Sequence, residues 1–171
     1  MKEKLKAGSR MRIFVDSSTL IALAKISELG ILKDIFGKIS ITTVVREVVL
    51  IADFPETAVL NTAMDEWIAV INYEGDASKL RRYGLGLGEG SLLLAARRED
   101  RLVLDDANAR KFAESKGLRF IGLIGLLVAA VKQKKLKREK VTEVLNKLAR
   151  SDSRISSDLL LWAKEEIERV S

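Results

Sequence analysis

A short apolar run near the N-terminus ends in an acid and passes at once into a helical pattern. Residues 13–21 read IFVDSSTLI. The apolar run is rich in β-forming residues, and the apolar residues after it recur at helical spacing. We therefore predict a strand over residues 12–15 that ends at Asp16, followed by a helix. Ser17 or Ser18 is the predicted N-cap, because a hydroxyl can accept from the free N–H groups of the first turn.

The same alternation of strand and helix continues along the chain. Four more β-rich runs span residues 38–42, 67–71, 101–104 and 118–121. Strands that alternate with helices indicate βαβ units and a mostly parallel sheet. We predict an α/β fold of three layers (α/β/α), with a mostly parallel sheet of about five strands and C-terminal helices. The expected division is an α/β domain over residues 1–134 and a helical extension over residues 135–171 that packs on the same domain.

Composition restricts the chemistry available to the chain. The 171 residues are 47% hydrophobic and 32% charged, as in a globular protein. Cys and His are both absent, which excludes disulfides, thiol nucleophiles, Ser-His-Asp triads and nearly every zinc or haem site. The longest uncharged apolar stretch, residues 120–131, is too short for a membrane span, and we expect a cytoplasmic protein. The net charge of +6 is compatible with a nucleic-acid or acidic partner.

Carboxylates follow the ends of the predicted strands. Asp16 ends the first strand, and Asp105 and Asp106 end the fourth. Glu47 lies about one turn into the helix after the second strand, and a further helix is predicted to begin at Glu89, after a flexible glycine-rich lead. Sites in open α/β sheets form beyond the carboxyl ends of the strands, so we expect these acids at one edge. Mg²⁺ or Mn²⁺ bound by such oxygens can activate water and stabilise charge on a phosphodiester.

Four segments resemble, in order, the motifs of PIN-domain nucleases. They are residues 13–21, residues 42–48, residues 86–91 with Ala95 and Ala96, and residues 102–106 followed by Ala109 and Arg110. The resemblance implies a parallel sheet with helices on both faces and a Mg²⁺- or Mn²⁺-dependent ribonuclease. Many small members are similar to the VapC toxins of toxin–antitoxin pairs, which are often dimeric. The Glu in the third motif, the Asp pair and the tail resemble a less characterised, largely prokaryotic subfamily.

The resemblance also implies a set of site residues and partners. Asp16, Glu47, Glu89 and Asp106 correspond to the catalytic carboxylates that hold the metal. Asp105 is a fifth candidate ligand, because the adjacent pair leaves the correspondence ambiguous by one residue. The third position is more often Asp in typical toxins, and the longer Glu leaves the number of metal ions open. The implied partners are an RNA substrate, an antitoxin protein and a second copy of the chain, without a membrane.

Other interpretations stay open at this level. A non-catalytic binding module with the same fold would bind Mn²⁺ weakly. A phosphatase similar to haloacid dehalogenases also begins with a strand and an Asp, but it needs a second acid where this chain has Ser18. It also needs a Lys before the late acids, where Arg97 and Arg98 stand. The hydroxyl of Ser18 or Thr19 is either a helix cap or a hydrogen-bond partner of a ligand carboxylate or of a metal-bound water.

Overall fold

The sheet at the centre of the molecule is entirely parallel. The computed structural model describes residues 10–51 and 54–170, so the outer limits of the predicted domains, residues 1 and 171, lie outside the described residues. Within these ranges the sheet has five strands in the order β3-β2-β1-β4-β5. The strands are β1 (Ile13–Val15), β2 (Ile39–Thr42), β3 (Ile68–Ile71), β4 (Arg101–Val103) and β5 (Arg119–Ile121). The predicted fold class is confirmed.

Helices connect the strands and cover the sheet in a three-layer α/β/α arrangement. The first half of the chain contains α1 (Ser17–Lys25), α2 (Gly30–Phe36), α3 (Thr43–Ile51), α4 (Thr57–Glu66) and a 3₁₀ helix (Ala77–Tyr83). The second half contains α5 (Leu87–Ala95), α6 (Ala107–Ser115), α7 (Leu123–Lys132), α8 (Arg138–Arg150) and α9 (Ser157–Glu168). In the described ranges, no helix has both the length and the hydrophobicity that a membrane crossing requires.

Strand β1 lies in the middle of the sheet, and its register determines which residues meet at the edge. Phe14 is fully buried and pairs with Ser40 on one side and Leu102 on the other. Val15 pairs with Val103, so β1 and β4 end level with each other. The chain builds outward from β1 on one side through β2 and β3, and on the other through β4 and β5. The topological switch point, where α/β proteins place their sites, therefore lies between β1 and β4.

The C-terminal helices pack on the rest of the fold through one apolar face. In α8 the fully buried residues recur at helical spacing and are Val141, Val144, Leu145 and Leu148. Ala163 and Ile167 of α9 are also buried in the same core. Helices α8 and α9 both pack against α7 and against each other.

A buried acid adds a polar link between α8 and the segment before α2. Glu28 is 7% exposed and forms ion pairs with Lys140 at 2.8 Å and with Lys147 at 2.7 Å. Burial raises the pKa of Glu28, but the hydrogen bonds and charges of the two lysines outweigh it and hold that pKa below its usual value. Removal of either lysine would leave a buried carboxylate with one partner fewer.

The glycine-rich segment differs from its prediction. Helix α5 begins at Leu87 and not at Glu89, and Gly88 and Gly90 are buried inside it rather than in a flexible lead. A Cβ atom at Gly90 would lie 3.0 Å from the carbonyl oxygen of Ala77. Gly90 therefore allows α5 to approach the 3₁₀ helix closely, a packing requirement that local sequence does not reveal.

Truncation of the buried α8 face tests whether the C-terminal helices belong to the cooperative fold. We expect Leu145→Ala to lower the free energy of unfolding by about 2–5 kcal/mol, because the residue is fully buried. The matched control is Leu161→Ala in α9, where the side chain is 58% exposed and the loss should stay within about 0.5 kcal/mol. Chemical denaturation measures both, and equal small losses would show that α8 unfolds separately.

Candidate metal centre

Asp16 connects the central strand to the first helix. It is 1% exposed, and one carboxylate oxygen accepts from the backbone N–H of Thr19 at 2.9 Å. The other oxygen accepts from the Ser18 hydroxyl at 3.0 Å. Asp16 is therefore the N-cap of α1, and the prediction of Ser17 or Ser18 is wrong. The carboxylate already reaches the free N–H group, so the Ser18 hydroxyl orients that carboxylate instead.

Glu89 and Asp106 each accept a backbone hydrogen bond at a helix N-terminus. One oxygen of Glu89, in the first turn of α5, accepts from the backbone N–H of Gly86 at 3.0 Å. One oxygen of Asp106, the N-cap of α6, accepts from the backbone N–H of Ala109 at 2.8 Å. The second oxygen of each carboxylate accepts no hydrogen bond from the part of the chain that the structure describes. Each acid thus has one oxygen available to a ligand.

Charge effects connect four of the predicted acids, Asp16, Glu89, Asp105 and Asp106. Burial raises the pKa of Asp16, and the charge of Asp105 raises it further, against the lowering effect of the hydrogen bonds from Thr19 and Ser18. Burial also raises the pKa of Glu89, and the charges of Asp106 and Asp16 add to this effect. Asp16 and Glu89 therefore hold their protons more tightly than usual, and a bound cation would relieve the repulsion that acts on them.

Asp105 differs from Asp106 because both of its carboxylate oxygens accept hydrogen bonds from the protein. One oxygen accepts from the guanidinium of Arg110 at 3.3 Å and from the backbone N–H of Leu123 at 3.2 Å. The other accepts from the Thr19 hydroxyl at 3.3 Å. A Cβ atom at position 122 would lie 2.8 Å from the Asp105 carboxylate and closer still to the Arg110 guanidinium, so a larger residue there would displace these side-chain ends. Asp105 thereby joins α1, α6 and the start of α7.

Glu47 does not share the hydrogen bonds that hold the other four acids. It is exposed in the second turn of α3 and forms no hydrogen bond or ion pair with any described residue. Helix α3 does lie beside α5, since methyl groups of Val45 and Val48 are each 3.6 Å from the position of a Cβ at Gly88. The role of Glu47 as a metal ligand stays a prediction.

The acids open onto a cleft of about 820 Å³. Its lining includes Glu89, Asp105 and Asp106, together with Ser18 and Thr19, which contact the buried Asp16. Within residues 10–51 and 54–170, no three acids are grouped closely enough to hold a metal ion. Asp16, Glu89 and Asp106 each accept a hydrogen bond at a helix N-terminus. The carboxylate oxygens fit a hard divalent cation chemically, and the second oxygens of Glu89 and Asp106 are available to it.

Two basic residues that line the cleft lie outside the four sequence motifs. Lys25 and Arg154 both belong to the lining, and Arg154 comes from the connector between α8 and α9. Lys25 forms an ion pair with Asp152 of the same connector at 3.1 Å. No local pattern predicts this, because the connector reaches the cleft only when α8 and α9 pack on the fold.

The molecule is an α/β protein with a parallel sheet and an acidic cleft beside the topological switch point. The model of the PIN-domain family matches residues 12–169, and the chain belongs to this family. The resemblance seen in the sequence is confirmed at the level of the PIN domain, and PIN domains are generally metal-dependent nucleases. The chain shows no match to a curated protein or to a solved structure.

The raised pKa of Glu89 gives a pH-dependent prediction. The folded protein holds this proton more tightly than the unfolded chain, so the carboxylate destabilises the fold increasingly as pH rises above about 4.5. Glu89→Gln keeps an acceptor for the Gly86 N–H and removes the charge. We expect its Tm in EDTA to exceed that of the wild type at pH 7, and the difference to vanish as pH falls below about 4.5.

Thermal unfolding between pH 4 and pH 8 checks this expectation. The control is Glu165→Gln on the exposed surface of α9, which should leave Tm unchanged across the range. A Tm for Glu89→Gln below that of the wild type at pH 7 would contradict the electrostatic description of the cluster.

Proposed function

We propose that the chain is a metal-dependent endoribonuclease that hydrolyses RNA phosphodiester bonds with Mg²⁺ or Mn²⁺. The observation that carries this proposal is the placement of Asp16, Glu89 and Asp106, which come from three separate elements beside the switch point, with the charges of Asp16 and Asp106 acting on Glu89. Membership in the PIN-domain family supports the same reaction class. The absence of Cys and His from the chain is compatible with hydrolysis that needs no covalent nucleophile.

Asp16, Glu47, Glu89 and Asp106 are the residues that we propose to hold the metal. A metal ion bound there supplies a Lewis acid for the phosphate and lowers the pKa of a water molecule. Asp16 contributes an oxygen whose direction is already fixed by hydrogen bonds from Ser18 and Thr19. Such supporting hydrogen bonds keep a ligand oriented before the metal arrives.

Metal binding can be measured without knowledge of the RNA. At a Mn²⁺ concentration of about one hundred times Kd, the folded state gains about 2.7 kcal/mol, which raises Tm by about 5–10 °C for a domain of this size. We expect this rise in the wild type and its loss in Asp16→Asn. The control variant is Asp34→Asn on the exposed surface of α2, which should keep the full rise.

The same two variants test catalysis. Loss of a residue that only supports a metal ligand typically costs about 10–100-fold, so loss of the ligand Asp16 should lower the rate of Mn²⁺-dependent RNA cleavage by at least about 100-fold. Asp34→Asn should cleave at the wild-type rate. Full activity in a folded Asp16→Asn protein would remove Asp16 from the site.

The two neighbouring acids of the fourth motif have separable roles. We propose Asp106 as the ligand, because one of its oxygens is available, and Asp105 as a positioning residue that joins three helices. Asp106→Asn should therefore lose the Mn²⁺-dependent rise in Tm, whereas Asp105→Asn should keep it. Thermal unfolding of both variants decides the assignment, and the reverse result would exchange the two roles.

A non-catalytic PIN-like binding module is the second candidate. It is favoured by the finding that, across the described part of the chain, no three acids are grouped to hold a metal ion. If Mn²⁺ leaves the wild-type Tm unchanged and no cleavage occurs, this candidate replaces the nuclease.

The finer proposal is a VapC-like toxin that acts with an antitoxin and forms a homodimer in the cytoplasm. Exposed apolar side chains on α9, Leu161 at 58% and Trp162 at 42%, offer a surface for a protein partner. Growth arrest on expression of the wild type, relieved by Asp16→Asn, would support the toxin role, and unaffected growth would count against it.

A further inference from the structure

The connector between α8 and α9, residues 151–156, forms part of the wall of the acidic cleft. Each of its six residues contributes to the lining that also contains Glu89, Asp105 and Asp106. The acids belong to the α/β part of the chain, whereas the connector belongs to the C-terminal helices. The cleft is therefore built jointly by both parts of the chain.

Hydrogen bonds and one ion pair hold the connector in its shape. The hydroxyls of Ser151 and Ser153 contact each other, and they lie 2.7 Å and 3.1 Å from the Leu148 carbonyl oxygen at the end of α8. The Asp152 carboxylate forms an ion pair with Lys25 of α1 at 3.1 Å. The connector thus presents its side chains to the cleft from a backbone whose position is already fixed, which lowers the entropic cost of binding.

The three cations of the lining differ in their partners. Lys25 is paired with Asp152, and its ammonium also lies 5.7 Å from the centre of the Phe54 ring. The guanidinium of Arg110 donates to the Leu104 carbonyl oxygen at 2.9 Å and to Asp105 at 3.3 Å. Arg154 is exposed and has no hydrogen bond, ion pair or ring contact with any described residue. Its five N–H donors are directed to no other group of the described chain.

A polyanion that enters this cleft meets an unfavourable charge balance. Four carboxylates line it, those of Glu89, Asp105, Asp106 and Asp152, against three cations. A metal ion at the acids compensates only the phosphate that it contacts. The phosphates on either side require a cation of the protein, and a guanidinium suits them because it can donate two parallel hydrogen bonds to phosphate oxygens.

We propose that Arg154 binds a backbone phosphate of single-stranded RNA next to the bond that is cleaved. This inference rests on the proposed function, and it makes the C-terminal helices part of the substrate-binding surface. Contacts of this kind fix the register of the strand without reading its sequence. Arg154 is therefore a substrate-binding residue, and it should affect RNA affinity more than the chemical step.

The test measures binding of a fluorescein-labelled 12-nucleotide single-stranded RNA by anisotropy, in EDTA, across a range of salt concentrations. Loss of one phosphate contact should reduce the slope of log Kd against log salt by about 0.7 in Arg154→Gln. Arg154→Lys keeps the charge and should restore the slope. The matched control is Arg150→Gln, an exposed cation of α8 that is not part of the lining, and its slope should equal that of the wild type.

The outcomes separate this inference from the function on which it rests. If the wild type binds and cleaves RNA while Arg154→Gln keeps the wild-type slope, the role of Arg154 is overturned and the nuclease stands. If the wild type neither binds the RNA nor cleaves it with Mn²⁺, both proposals fail. With Mn²⁺ present, a higher KM and an unchanged kcat in Arg154→Gln would support binding through this residue.

Discussion

The arrangement of the site depends on a buried carboxylate at the end of the central strand. Burial of an anion is costly unless hydrogen bonds compensate it, and Asp16 receives them from the backbone of Thr19 and the hydroxyl of Ser18. The same bonds start α1 directly after β1. Because β1 is paired level with β4, the acids that follow β4 reach the same edge. One local interaction therefore sets both the path of the chain and the position of the acids.

The acids of the cluster serve both the fold and the proposed chemistry with the same side chains. Asp16, Glu89 and Asp106 each accept a backbone N–H at a helix N-terminus. Capping of this type contributes about 1 kcal/mol per helix, whereas the raised pKa values of Asp16 and Glu89 oppose stability. A divalent cation would reverse the second effect. Metal binding and fold stability are thus coupled through these carboxylates.

The C-terminal helices take part in the cleft because several independent contacts fix them. The apolar face of α8 is fully buried, and Glu28 forms ion pairs with Lys140 and Lys147 of the same helix. The connector after α8 is then held against α1 by the pair of Lys25 and Asp152. Packing contacts far from the acids therefore determine the position of Arg154 in the wall of the cleft.

The sequence by itself determined the strands and their parallel direction, because periodicity and the alternation of strand with helix are local signals. Only the tertiary structure decided the rest. Helix α5 begins at Leu87 and includes Gly90, where the helix approaches the backbone of Ala77 closely. The difference between Asp105 and Asp106 follows from which neighbours each side chain meets, since adjacent residues point in different directions. Arg154 reaches the cleft through contacts between segments distant in sequence, which no local pattern encodes.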